Sequence, residues 1–407
     1  MEYPNIILLT KEDSYLFHQE SFRPFKNRGI YKILKNELCQ TYQDGLLIIS
    51  QEQKFLKHVF EILRKKHITK LTIIVDDVFR TKYRLGHVPT LSTYTLESDF
   101  SNTILEEIEI IKQIIKNSDL KSYEIYHCEK VPSHIQEKIG FEVPIKYYDL
   151  FLTELSTYNK FSLSFSDNFE YKISCFNHRF DYHRQIIASL LYRRNNSFVT
   201  LCRKKGLEDI LRNKDIPIND FEPEFRKIIT KSLCYLDKEK LRVFGEGDII
   251  LTDDNSYAAS HKIDQNTNKI IYSIQNGFAN IITETRYNSP FNYISEKSLK
   301  PIQACRPFIM LGPAGNLKMM QDFGFKTFNH WWDESYDSEP NPNKRFEMVY
   351  EIVKQILDTD PKQLKQQLNE MDSILRYNKK VLKKLPRKLL NYIGVKLTSD
   401  KILEEAS

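Results

Sequence analysis

Short apolar runs alternate along this chain with longer amphipathic segments, and that alternation limits the fold more than any other feature. Ile6–Leu9, Leu46–Ile49, the stretch 71–75 and the stretch 123–128 have the length and content of buried strands. Between them, Ser50 stands where it can cap a helix through Phe55, Val59, Phe60 and Leu63, and 103–115 has apolar residues at helical spacing among Glu and Lys. Strand–helix alternation of this kind predicts an α/β fold with a mostly parallel sheet covered on both faces.

The pattern occurs twice. Around 161–171 the composition shifts to Ser, Asp and Asn, which reads as a passage between domains. A second series then begins with a strand at 172–176, a polar turn Asn177-His178-Arg179-Phe180-Asp181, and a helix whose apolar side carries Ile186, Ile187, Leu190 and Leu191. Further strands are expected at 248–251, 278–283 and Phe308–Leu311, and a helix at 345–357. The expected organisation is an α/β domain over 1–165, a second over 170–360, and a helical segment over 361–407. A chain of 407 residues suits two cores better than one.

Composition excludes several classes. Six cysteines lie far apart with no Cys-x-x-Cys pair, so no zinc ribbon or dithiol redox site is expected, and the thiols fit a reducing compartment. The apolar run at the N-terminus is too short for a leader, and no run approaches the ~20 residues of a membrane-spanning helix, so a cytoplasmic protein is expected. A net charge of +6 suits an anionic small ligand and does not favour nucleic acid as partner. One segment concentrates that charge. From Arg376 to Lys396 there are eight Lys or Arg and no acid, with Val381, Leu382, Leu385, Leu389, Leu390 and Ile393 between them and Pro386 expected to interrupt the helix. Two readings follow for 376–396, a solvated helix closing onto its domain or a peripheral contact with the inner face of an anionic membrane.

The densest chemical signal lies between Phe278 and Asp337. An apolar run ends at the carboxylate of Glu284, a polar loop follows, and then Tyr293-Ile294-Ser295-Glu296-Lys297 opens a helix with Ser295 as its cap. Helix N-termini favour phosphate through free N–H groups and the dipole. Lys297 adds a full charge there, and Glu296 is suited to accept two hydroxyl hydrogen bonds, as from a ribose. Glu284 has two readings, a local cap or a contact to sugar or nucleotide. Further on, Trp331-Trp332-Asp333-Glu334 combines rings with acids, which suits either sugar stacking or a core.

This pattern resembles the α-1,3-fucosyltransferase family and related bacterial and viral glycosyltransferases. There, a strand ending in Glu-Asn is followed by a loop, by Tyr-Val-Thr-Glu-Lys at a helix start, and by a strand ending in Gly. Here Glu284, then Tyr293, Ser295, Glu296 and Lys297, then Arg306 to Gly312 stand at those places, with Thr285 where Asn is usual and Ser295 where Thr is usual. A second patch, Ser174-Cys175-Phe176-Asn177 followed by Arg184, matches the strand, turn and Arg that open the family's donor domain. The likeness covers roughly 170–330, and nothing in the N-terminal half matches.

The resemblance implies the architecture called GT-B, two Rossmann-like α/β domains facing each other across a cleft, here followed by C-terminal helices. It implies an inverting, metal-independent hexosyltransferase that moves a sugar, with fucose from a GDP donor as the family precedent, to a hydroxyl of a glycan or glycoconjugate. Arg184 and Lys297 would hold the pyrophosphate and Glu296 the ribose, within a donor site of Asn177, Arg179, Arg184, Glu284, Tyr293, Ser295, Glu296 and Lys297. No cofactor is implied beyond the nucleotide-sugar co-substrate. The acceptor base is expected from the N-terminal half. Asp76 and Asp77, after the 71–75 strand, are the candidates, with Glu12, Asp13, His18 and His87 competing. A catalytically silent nucleotide- or carbohydrate-binding protein on the same fold is the alternative.

Overall fold

The computed structural model describes residues 6–9, 14–17, 46–49, 56–75, 109–127, 136–137, 140–141, 143–148, 162–177, 182–192, 194, 196–201, 221–240, 249–250, 265–284, 287, 292 and 294–393. The chain divides into two compact units, one of residues 1–160 with 384–407, the other of residues 161–383.

The first unit holds a six-stranded sheet in the order β2-β1-β3-β4-β5-β6. Its strands are β1 (Ile6–Leu9), β2 (Ser14–Phe17), β3 (Leu46–Ile49), β4 (Lys70–Val75), β5 (Ser122–His127) and β6 (Ile145–Tyr147). β3 to β6 run parallel, and β1 pairs antiparallel with both β2 and β3. Helix α1 (Leu56–Lys65) and a helical stretch at 109–116 supply the crossovers that parallel neighbours need. Val59, Ile73, Ile74, Ile110, Ile111, Ile114 and Ile125 are all fully buried, so the strand and helix patterns seen in the sequence point their apolar sides inward.

The second unit is built on a five-stranded, wholly parallel sheet in the order β11-β10-β7-β8-β9. The strands are β7 (Tyr171–Asn177), β8 (Ser197–Leu201), β9 (Ile249–Ile250), β10 (Gly277–Thr283) and β11 (Phe308–Leu311). Among them run α2 (Tyr182–Tyr192), α3 (Pro223–Lys240), α4 (Gln265–Gln275), α5 (Glu296–Gln303) and α6 (Asn316–Asp322), and α7 (Pro342–Asp358) follows β11 and α6. Every residue of β10 is buried, as expected for an inner strand covered on both faces. Its first residue must be glycine, because a Cβ on Gly277 would stand 2.7 Å from Ser174 Oγ on β7. The chain lays β7, β8 and β9 to one side, then crosses to place β10 and β11 on the other. The order of strands therefore reverses between β7 and β10.

Arg306 fastens the opposite, N-terminal end of this sheet. Its side chain is fully buried and donates to the carbonyls of Gln275 (2.8 Å), Gly277 (2.7 Å), Ser166 (2.7 Å) and Asn168 (2.6 Å). Burial lowers its pKa to about 10, so it is still a cation at neutral pH when it satisfies these carbonyls and that of Cys305 at 3.3 Å.

The C-terminal helix corrects one expectation. Pro386 does not interrupt it, because α8 runs unbroken from Pro361 to Tyr392 with Pro386 inside. A proline in a helix interior removes one i→i−4 hydrogen bond and costs ~3 kcal/mol. Here the helix continues through it on a long apolar seam, with Leu364, Leu368, Met371, Leu375, Leu382, Leu385, Leu389 and Ile393 all buried along one side. The helix spans the division between the two units. Its first part counts with the second unit and its end with the first, where Tyr126 Oη donates to the carbonyl of Tyr392 at 3.2 Å. No helix among the described residues is long and apolar enough to cross a membrane.

Candidate functional site at the β7–β10 switch point

In an open parallel sheet, the point where strand order reverses leaves a crevice outside the C-terminal ends of the two central strands, since the connections from them leave in opposite directions. In the second unit those ends are Asn177 on β7 and Thr283-Glu284 at β10. They are joined directly. Thr283 Oγ1 donates to Asn177 Oδ1 at 2.7 Å, and Asn177 Nδ2 donates to Cys175 Sγ at 3.3 Å, all buried. The Cys175 thiol is pushed up to about 12 by burial, so it is a neutral packing group and no nucleophile.

Glu284 organises the next element. It is completely buried, and its carboxylate accepts from Ser295 N (3.0 Å), Ser295 Oγ (2.6 Å) and Ser298 Oγ (2.7 Å). These three bonds pin the first turn of α5 to the end of β10. Ser295 is the N-cap of α5, with extended backbone at φ −110° and ψ −178°, and its hydroxyl accepts from Lys297 N at 3.3 Å. The Lys297 ammonium lies 3.4 Å from the same hydroxyl. The end of β10, the cap and the lysine thus form one connected unit. Gly312, at the end of β11, lets it close, because a Cβ there would stand 2.8 Å from Asn316 Nδ2 and 3.4 Å from Glu284 Cβ.

The start of α2 reaches the same place from the β7 side. Arg184 is 1% exposed and donates to the Thr283 carbonyl at 3.0 Å. His183 has Nε2 2.9 Å from the Glu284 carbonyl oxygen and stacks on Tyr287 with centroids 4.8 Å apart. Tyr287, whose phenol is pushed well up by burial, donates to the Pro342 carbonyl. Arg345 stands over its ring at 5.0 Å and donates to the carbonyls of Gly312 (2.9 Å) and Tyr287 (3.1 Å). Two buried guanidinium groups, Arg184 and Arg345, therefore sit around the ends of β10 and β11 with backbone carbonyls as hydrogen-bond partners.

Of the residues singled out in the sequence, Asn177, Arg184, Glu284, Ser295 and Lys297 come together here. Glu296 opens α5. Asp76, Asp77, Arg179 and Tyr293 lie outside the described residues, as do Glu12, Asp13, His18 and His87. Thr283, Ser298, His183, Tyr287 and Arg345 belong to the same constellation. Ser298 carried a usable signal, since it stands three residues after an N-cap, where capping partners recur. Tyr287 and Arg345 carried none, because their roles depend on contacts across 58 residues of chain.

Trp331 to Glu334 takes the packing role. Trp332 is buried with its ring 5.4 Å from that of Phe328, and Trp331 Nε1 donates to Glu370 at 3.3 Å. The carboxylates close local turns. Asp333 accepts from Ser335 N and Oγ (2.9 and 2.8 Å), and Glu334 accepts from Phe328 N (2.7 Å).

No protein-family model matches the chain, and no curated protein matches it in sequence. Solved structures do align with it. T4 phage BGT in complex with its UDP-glucose substrate aligns at TM-score 0.40 and 10% identity over 93% of this chain and 96% of that one. The DNA-modifying enzyme β-glucosyltransferase aligns at TM-score 0.36 and 9% identity over 82% of this chain and 84% of that one. Spinosyn rhamnosyltransferase aligns at TM-score 0.30 and 7% identity over 90% and 79%. Likeness at these scores is too loose to bear on chemistry, and the functional reading rests on the residues of this chain.

Proposed function

We propose that the second unit binds a nucleoside diphosphate sugar at the β7–β10 switch point, and that the protein is a glycosyltransferase acting on a hydroxyl of a glycan or glycoconjugate. One observation carries the reading. The capped N-terminus of α5, bearing Lys297, is pinned by Glu284 to the end of the very strand at which sheet order reverses. A switch-point crevice with a helix N-terminus and a cation beside it is an arrangement suited to a diphosphate.

In this reading the diphosphate lies beside the capped first turn of α5, held by the Lys297 ammonium and favoured by the positive end of the helix dipole. Glu296 is assigned to the ribose. Arg184 acts from beneath as a fixed buried charge, and Glu284 is a positioning residue, since its oxygens already hold Ser295 and Ser298. Charge that develops on the leaving diphosphate is stabilised by groups already in place, which is the electrostatic part of such a transfer. The transfer is assigned as inverting and metal-independent, with Asp76 or Asp77 as the base that takes the acceptor proton. Arg179, Tyr293 and Asn177 complete the donor site, and GDP-fucose is the first donor to try.

Melting the protein with GDP-, UDP- and CMP-sugars in turn tests this. One nucleotide class should raise Tm, by an amount corresponding to about 2.7 kcal/mol when ligand stands at a hundred times Kd. Lys297→Ala should weaken that nucleotide at least ~10-fold, about 1.4 kcal/mol, at an unchanged circular dichroism spectrum. No shift with any nucleotide overturns the reading. A shift with no transfer to any hydroxyl acceptor leaves a silent binding protein instead.

A further inference from the structure

Helix α8 presents two opposite faces from Arg376 onward. One is the buried seam through Leu382, Leu385, Leu389, Leu390 and Ile393. The other exposes Arg376, Lys380, Lys383, Lys384 and Lys388, with Arg387 half-buried among them. Residues four apart lie on one helix face, so 376, 380, 384 and 388 form one row, and 383 and 387 lie beside it.

The basic groups are not equivalent. Arg376 is paired with Asp372 at 2.7 Å. Lys379 turns inward and donates to the Leu163 carbonyl. Among the described residues, Lys380, Lys383 and Lys384 take part in no ion pair. Tyr377, 40% exposed, lies at the edge of the row, with the Lys326 ammonium over its ring at 4.7 Å, and Tyr392, 52% exposed, lies at the far end.

The segment that bears this face accounts for the charge of the whole protein. The 376–396 segment carries eight Lys or Arg and no acid, while the entire chain has an excess of only six. The rest of the chain is therefore slightly acidic. A long polyanion needs an extended basic track, and the rest of the chain has no net positive charge to continue one. A planar anionic surface needs only a protruding row of long cationic side chains. Lysine stems with aromatic rings at the ends suit such a plane, since Tyr settles at headgroup level and Lys reaches the charges.

We propose that the exposed face of α8, centred on Lys380, Lys383 and Lys384, is a docking surface for anionic lipid headgroups. The attachment is electrostatic and shallow, because the apolar side of α8 is already buried in the protein and has nothing left to insert. The inference stands apart from the sugar-nucleotide reading, and none of these lysines belongs to the switch-point site.

Co-sedimentation of the full chain with vesicles tests it. Vesicles of zwitterionic phosphatidylcholine alone should leave the protein in solution, and vesicles with about a third phosphatidylserine should carry it down at low salt. Raising salt should release it, as the Debye length shrinks to ~8 Å near physiological strength. The triple variant K380Q/K383Q/K384Q should lose affinity on the order of a hundredfold, each lysine contributing roughly a factor of five. Its Tm and its nucleotide response should match the unaltered chain. Equal partition onto both vesicle types overturns the proposal, and so does a triple variant that sediments as well as the parent. Lysine-dependent binding to duplex nucleic acid with no binding to anionic vesicles overturns it in favour of a polyanion.

Discussion

Glu284 is the residue on which the local order of the site depends. Its carboxylate is fully buried and accepts one backbone N–H and two hydroxyls. Glu284→Ala leaves those donors without an acceptor inside the protein, and the expected loss is about 2–4 kcal/mol in urea unfolding. Glu284→Gln keeps one acceptor oxygen and should recover part of that loss. The pair separates a positioning role from a ligand contact, because a group that only touched ligand would leave unfolding unchanged. Lys297 is the contrasting case. It is half-buried with its ammonium 3.4 Å from the Ser295 hydroxyl, and its removal should register in nucleotide affinity more than in unfolding.

Among the elements, the turns after α6 show how burial and hydrogen bonding compete. Glu334 accepts from Phe328 N at 2.7 Å, yet burial outweighs this and holds its pKa above the ordinary 4.5. A carboxyl raised in the folded state costs no stability below its unfolded value. The cost appears as pH rises through the unfolded pKa and is complete above the raised folded one. Glu334→Gln keeps the acceptor and removes the charge. It should therefore gain on the unaltered protein as pH rises from about 4 to 7, in thermal melts across that range. Helix α8 makes a related point about propensity. Pro386 is unfavourable in a helix interior, but the buried leucines on both sides carry the helix past it.

At the scale of the whole molecule, residues 384–407 belong with the first unit, although they follow the second in sequence. Tyr126 is tied to this tail by the Tyr392 carbonyl at 3.2 Å and by an edge-on ring contact at 5.7 Å. Ending the chain after Lys383 should loosen the first unit. Limited proteolysis should then cut faster within 1–160, while 161–383 resists as before. Equal protection of 1–160 in both chains would show that the tail adds nothing to that unit.

The sequence by itself determined the strands and helices with strong periodicity. β1, β3, β4, β7, β10 and β11 were all legible as short apolar runs, and the capped start of α5 was legible from Ser295 and Lys297, because periodicity and capping are local properties. β2, β6 and β8 were not, being short and mixed in composition, nor were α3 and α4. Tertiary structure alone decided which strand lies beside which, and that decision created the site. Asn177 and Thr283 are 106 residues apart and meet only because β10 crosses over β7 to the far side of the sheet. Tertiary structure also turned Glu284 inward, since a carboxylate at a strand end is satisfied by whatever donors the next helix brings to it, and here those donors are Ser295 and Ser298.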